Sequence, residues 1–211
     1  TGHRASIVAD RVGLEPQDPA WLARWREADA AVAPNAAWNG RAVADEVLAA
    51  AGPDDNLVFG ASNLIRDADL SPIAATPPTT WASRGQAGID GTIATATGIA
   101  LGSGRRTTVL LGDLTAQHDI GSLARPDAEP KANLRIVIGD DHGGSLFHKL
   151  EQGRPDYADA FERVFGTPQD VDLAAVAQAF GWNTTVATSR AELQAALASE
   201  AECIVARYPR P

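Results

Sequence analysis

Thr107-Thr108-Val109-Leu110-Leu111-Gly112-Asp113-Leu114-Thr115 and, later in the chain, Leu134-Arg135-Ile136-Val137-Ile138-Gly139-Asp140-Asp141-His142-Gly143-Gly144 share one pattern. Each starts as a short run rich in branched apolar residues and ends on glycine and aspartate. That is how a buried strand runs out into a polar turn. Three further runs, Leu57-Val58-Phe59, Thr184 to Ala187 and Cys203 to Ala206, read the same way. Between them lie helical patterns at Arg41 to Ala51, Ile89 to Leu101, Asp172 to Phe180 and Ala191 to Ser199. Gly52-Pro53 and Gly181 act as stops, and Ser189-Arg190-Ala191-Glu192 is a capping-box pattern. Strands apolar on both faces, alternating with helices, predict an α/β fold: a doubly wound parallel sheet with helices on both faces.

Residues 1–40 read differently. Pro16, Pro19 and Pro34 interrupt them, and one helix is expected from Trp21 to Val32 with Trp21, Trp25 and Ala28 on a shared face. The expected organisation is a tail of a preceding domain with a connecting helix over 1–40, then the sheet domain over 41–211. The chain begins at Thr1 and has no methionine, which reads as a fragment or a trimmed product.

Composition narrows the function. The 211 residues are 45% hydrophobic and 21% charged, enough for one good core. A net charge of −9 argues against nucleic acid or an anionic membrane as main partner. The single cysteine, Cys203, excludes a disulfide framework and reads as a buried structural thiol. No apolar run has membrane-spanning length and no signal-peptide pattern is present, so a cytoplasmic setting is expected.

In a parallel sheet the ligand crevice lies beyond the carboxyl ends of the strands. Gly60-Ala61-Ser62-Asn63, Gly112-Asp113-Leu114-Thr115 and Gly139-Asp140-Asp141-His142-Gly143-Gly144 should therefore converge on one edge. Two carboxylates brought into one crevice repel, and a hard divalent cation with oxygen ligands relieves that repulsion. Gly143 and Gly144 allow the backbone to approach a metal or a phosphate closely. Asp113 and Asp141 holding magnesium that bridges a diphosphate is the economical reading. Each motif alone reads first as an ordinary turn, since aspartate and glycine favour turns; their succession after neighbouring strands reverses that preference.

Gly112-Asp113-Leu114, with Asp140-Asp141 after residues 115–139, resembles the thiamine-diphosphate enzyme signature. Leu114 replaces the usual third residue of that signature, and Asp141 stands where the usual ligand is asparagine. Four separated motifs resemble one branch of the family, the 2-succinyl-5-enolpyruvyl-6-hydroxy-3-cyclohexene-1-carboxylate synthases of menaquinone biosynthesis. They are Gly60-Ala61-Ser62-Asn63-Leu64-Ile65-Arg66, Ala82 to Gly91, Leu111 to Thr115 with His118-Asp119, and His142 to Phe147.

The resemblance implies a transferase that uses thiamine diphosphate and magnesium, or manganese, to decarboxylate 2-oxoglutarate and add the succinyl unit to isochorismate. It implies that Asp113, Asp141 and the Gly143 carbonyl hold the metal, and that Gly112, Leu114, His142, Gly144 and Ser145 line the diphosphate. Ile89 would be the apolar wedge that bends the cofactor, and Ala87 would meet its aminopyrimidine through the backbone. Leu146 and Phe147 would pack beside the thiazolium, and Ser62, Arg66 and Arg84 would receive the substrate carboxylate. It further implies a homodimer or homotetramer with the active site at a subunit interface. Residues 1–40 would end the family's central domain. Activation depends on a glutamate from a pyrimidine-binding domain that nothing here resembles, so the isolated chain is expected to be inactive.

By spacing alone, Ile89 also suits the first core residue of a helix, Leu146 and Phe147 suit a core, and Arg66 beside Asp67 and Asp69 suits an exposed salt bridge. His118 reads as structural or rim-lining. Two other functions stay open from the residues. One is a different thiamine-diphosphate lyase or decarboxylase, such as an acetohydroxyacid synthase. The other is a non-catalytic nucleotide-binding or dimerisation module, against which stands the missing G-x-G-x-x-G fingerprint.

Overall fold

A computed structural model describes residues 18–31, 36–72, 74–83, 85–86 and 88–210. The chain divides into two compact units, Thr1–Asn35 and Ala36–Pro211. In the first, helix α1 spans Pro19–Ala30, with the exposed rings of Trp21 and Trp25 6.0 Å apart. Val32, where the sequence pattern ended this helix, lies outside the described residues.

The second unit is a six-stranded parallel sheet. Its helices are α2 (Gly40–Ala50), α3 (Asn63–Ala68), α4 (Thr92–Ser103), α5 (Asp113–His118), α6 (Ala158–Phe161), α7 (Leu173–Ala179) and α8 (Arg190–Ala198). The strands are β1 (Asn56–Phe59), β2 (Thr79–Ala82), β3 (Thr107–Gly112), β4 (Leu134–Asp140), β5 (Thr184–Ala187) and β6 (Cys203–Arg207), ordered β2-β1-β3-β4-β6-β5.

Side chains alternate across the sheet as strand geometry requires. Val109 and Leu111 of β3 face a core with Ile93 and Ala96 of α4 and Leu173 and Ala177 of α7. Leu110 faces the opposite core, built with Val43 and Val47 of α2 and Leu193 of α8. Cys203 and Ile204 of β6 divide the same way. The Cys203 thiol is fully buried, and burial pushes its pKa up to about 12, which suits an inert packing role.

The strand runs read from the sequence all appear, and β2 is an addition. Every residue of β2 is exposed at the sheet edge, so Thr79-Thr80-Trp81-Ala82 carries no apolar alternation to announce it. The short helices α3 and α5 also went unread, because six residues complete too little of the 3.6-residue period. Ser189 caps α8 by accepting from the Glu192 amide, but the Glu192 carboxylate reaches back to Thr188 rather than to Ser189.

Buried Arg135 on β4 secures the far end of α8. Its Nε, Nη1 and Nη2 donate to the carbonyls of Ala201, Leu197 and Ser199, which a helix terminus otherwise leaves orphaned. Burial lowers its pKa, yet a guanidinium stays charged, so the three charge-assisted bonds persist. Arg135→Met should keep the packing volume and strand those carbonyls. A loss of about 3 kcal/mol in urea unfolding, with an unchanged m value, is the expected result.

Candidate functional site

The strand order reverses direction between β1 and β3, because β2 lies on one side of β1 and β3 on the other. That is the switch point where the loops leaving two neighbouring strands part and open a crevice. A cleft of about 280 Å³ lies there. It is lined from β1 by Ser62, Asn63, Leu64 and Arg66, from β3 by Gly112 to Thr115, and from β4 by Gly139, Asp141 and Gly143 to Phe147. Ile89 and Tyr208 complete it.

Asp113 is the first residue of α5 and 5% exposed. Its Oδ1 accepts from the Leu114 amide at 2.7 Å and its Oδ2 from the Gly143 amide at 2.7 Å. The second bond joins the loops that follow β3 and β4. Burial, then the neighbouring Asp141 carboxylate, pushes the Asp113 pKa up to about 7. Asp141 is buried too and is raised mainly by that burial. The structure thus brings together the two aspartates that the sequence placed at successive strand ends.

The glycine turn is held from behind. A helical turn with i to i+5 bonding, Glu162–Gly166, presents its carbonyls to the loop, and the Gly144 amide donates to the Gly166 carbonyl at 2.7 Å. A Cβ on Gly144 would lie 2.1 Å from the Phe165 oxygen, and one on Gly143 would lie 2.3 Å from the Gly166 oxygen. Only glycine fits beneath this backbone, and Gly143 also adopts φ 130°. Ser145 follows, buried, and its side chain draws the Asp141 pKa down against the effect of burial. Phe147 packs on Phe165 at a centroid distance of 5.5 Å.

Across the cleft, Ser62 holds φ 99°, a conformation costly for a residue with a Cβ and frequent at ligand sites. The exposed Arg66 side chain lies at the cleft edge, where Nη1 donates to the Ser62 carbonyl. Among the described residues it makes no salt bridge with Asp67 or Asp69. Asp67 instead pairs with Lys149 and Asn63.

His142 does not line this cleft. With φ 64° it is exposed beside a separate hollow lined by Asp140, Asp170, Asp172 and Arg207, because the left-handed turn carries its side chain away from the glycine pair. His118 is exposed on α5. Arg84 and Ala87 lie outside the described residues. Sequence reasoning missed Tyr208, whose pKa is raised by burial and by Asp141, Asp67, Asp113 and Asp140. The strand-end rule applied to β6 would have found it.

Fold and cleft together define a doubly wound α/β domain that takes its ligand at a switch point, with two buried acids facing it. The chain belongs to the family described as thiamine pyrophosphate enzyme, C-terminal TPP binding domain, whose profile matches residues 68–204. It is 53% identical over 149 residues to the 2-succinyl-5-enolpyruvyl-6-hydroxy-3-cyclohexene-1-carboxylate synthase of Paenarthrobacter aurescens, covering 68% of this chain and 26% of that protein. To the synthase of the same name from Saccharopolyspora erythraea it is 40% identical over 205 residues, covering 92% of this chain and 37% of the relative. The chain therefore spans only about a quarter to two fifths of these relatives' length.

Solved structures show the same fold. The benzoylformate decarboxylase of Polynucleobacter necessarius superposes with a TM-score of 0.64 at 19% identity, covering 81% of this chain and 33% of that one. The thiamine diphosphate-dependent 4-hydroxybenzoylformate decarboxylase of Rhodococcus jostii RHA1 gives 0.61 at 20% identity, covering 85% and 34%.

Two expectations follow. Gly144→Ala should force the loop off the Phe165 carbonyl and lower stability by about 2 kcal/mol or more, read as a fall in thermal midpoint. The second concerns pH. A folded-state pKa near 7 exceeds the ordinary carboxyl value of 3.8, so folded Asp113 keeps a proton that the unfolded chain has lost. Its contribution to stability is fully present below about pH 4 and is lost as pH rises to about 7. In metal-free urea unfolding, the stability gap between wild type and Asp113→Ala should shift in the variant's favour over that interval. A gap independent of pH would contradict the raised carboxyl.

Proposed function

We propose that this chain is the diphosphate-binding part of a 2-succinyl-5-enolpyruvyl-6-hydroxy-3-cyclohexene-1-carboxylate synthase. The observation that carries the reading is the meeting of buried Asp113 and Asp141 in one cleft, with Ser62 and Arg66 at its other side. The names of its relatives supply the particular reaction.

The residues present fit a metal-bound diphosphate. Among the described residues no three His, Cys, Asp or Glu side chains converge into a metal cage. Two carboxylates and a backbone carbonyl, at Asp113, Asp141 and Gly143, would leave the remaining positions to phosphate oxygens and water. Magnesium is commonly held in that way, and manganese accepts similar ligands. The Ser145 hydroxyl and the Gly144 turn suit phosphate oxygens, with Gly112 and Leu114 on the other wall. His142 would contribute at most through its backbone.

When bound, thiamine diphosphate supplies the electron sink for decarboxylation of a 2-oxo acid, while the protein supplies position and charge. Loading the metal requires Asp113 to lose its proton, so cofactor affinity should rise with pH towards 7. Ile89, Leu146 and Phe147 give the cleft an apolar wall, with Ala87 assigned to the aminopyrimidine. Such a wall excludes water and disfavours a charged carboxylate next to it. Arg66, pinned to the Ser62 carbonyl, offers its remaining donors to the distal carboxylate of 2-oxoglutarate, with Arg84 as its partner. Isochorismate would be the acceptor. A homo-oligomer completes the site, a partner subunit supplying the activating glutamate, so the chain by itself should not turn over. No helix among the described residues is long and apolar enough to cross a membrane, which accords with a cytoplasmic setting.

Calorimetric titration of the chain with thiamine diphosphate and magnesium, with NAD as control, tests the cofactor. Binding that chelation of magnesium abolishes is expected, and binding of NAD alone would overturn the reading. In the longer protein, Arg66→Ala should raise KM for 2-oxoglutarate by about tenfold or more, the scale of one charge-assisted hydrogen bond. An unchanged KM would favour a different 2-oxo acid.

A further inference from the structure

Helix α4 begins without a cap of its own. Gly91 precedes it in a left-handed conformation and has no side chain to satisfy the first-turn amides. Those amides are met from elsewhere in the chain. Asp119 Oδ2 accepts from the Ile93 amide at 2.6 Å and from the Ala94 amide at 3.1 Å. Its Oδ1 accepts from Ser122 Oγ at 2.6 Å, and the residue is only 8% exposed.

The position of this carboxylate matters more than its hydrogen bonds alone. Asp119 directly follows α5, the six-residue helix whose first residue is Asp113. One short helix therefore has an acid at each end. Asp113 grips the Gly143 amide, and Asp119 grips the first turn of α4. The segment leading into that turn is Ile89-Asp90-Gly91, and Ile89 lines the cleft. α5 thereby connects the Asp113 side of the cleft to the helix start that follows Ile89.

We infer that Asp119 is a positioning residue that holds Ile89 at a fixed distance from Asp113. The inference rests on the cofactor reading above. An isoleucine side chain can meet the organic part of the ligand but gains nothing from a phosphate. Loosening the first turn of α4 should therefore weaken binding of the whole cofactor and spare its phosphate tail. A cap that merely stabilised the fold would affect both ligands alike.

The experiment titrates wild type, Asp119→Ala and Asp119→Asn with magnesium thiamine diphosphate and, separately, with magnesium pyrophosphate. Asp119→Ala should lose about tenfold in affinity for thiamine diphosphate, with pyrophosphate changed less than about twofold. Asp119→Asn should recover most of the loss, because its amide oxygen still accepts from Ile93 and Ala94. Hydrogen exchange in the ligand-free chain should show those two amides opening faster in Asp119→Ala than the global unfolding rate explains. Parallel loss of both ligands, no loss in Asp119→Ala, or unchanged exchange would overturn the inference. Wild type binding both probes equally would overturn the cofactor reading and the role of Ile89 with it, and that result appears before any substitution is made.

Discussion

A single hydrogen bond, from the Gly143 amide to Asp113 Oδ2, ties the loop after β3 to the loop after β4. Parallel pairing brings Gly112 opposite Gly139, so both loops leave the sheet at the same level. Beyond that level the ladder offers no further partners, and side chains must take over. The bond holds because Gly143 and Gly144 lie close beneath the Phe165 and Gly166 carbonyls, where a larger residue has no room. Loop, turn and acid therefore hold one geometry together, and the cleft inherits it.

That geometry stores unfavourable electrostatics. Two aspartates share a buried cleft, and both carboxyls resist ionisation because water has been removed from around them. Left empty, the site is held at some expense of stability near neutral pH. On the function proposed above, a divalent ion would turn the same arrangement into an attractive one, since charges that repel each other both attract the cation. Asp141 in place of the family's usual asparagine sharpens this balance. On the proposed metal site it would make the ion-free cleft less stable and the ion-bound one tighter.

Behind the cleft, two buried side chains serve distant helix ends. Arg135 on β4 collects three carbonyls near the end of α8, and Asp119 collects two amides at the start of α4. Both are charged groups buried with their partners, the condition under which such groups stabilise rather than disrupt. Each also joins elements far apart in the chain.

The branched runs of β3, β4 and β6 and the Gly-Asp turns after them are local signals, and through them the sequence determined the parallel sheet and the edge that carries the site. Pairing Asp113 with Asp141 was legible because strand-end position follows from chain order and sheet type. Other features had no local signal. The edge strand β2 lacks alternation since neither face of it is buried, and the left-handed turn at His142 sends that side chain to a different hollow. Tyr208 in the cleft and the Asp119 clamp arise only when segments distant in sequence are packed together. Tertiary structure alone decided these, because burial and hydrogen-bond satisfaction belong to the folded neighbourhood and not to any stretch of chain.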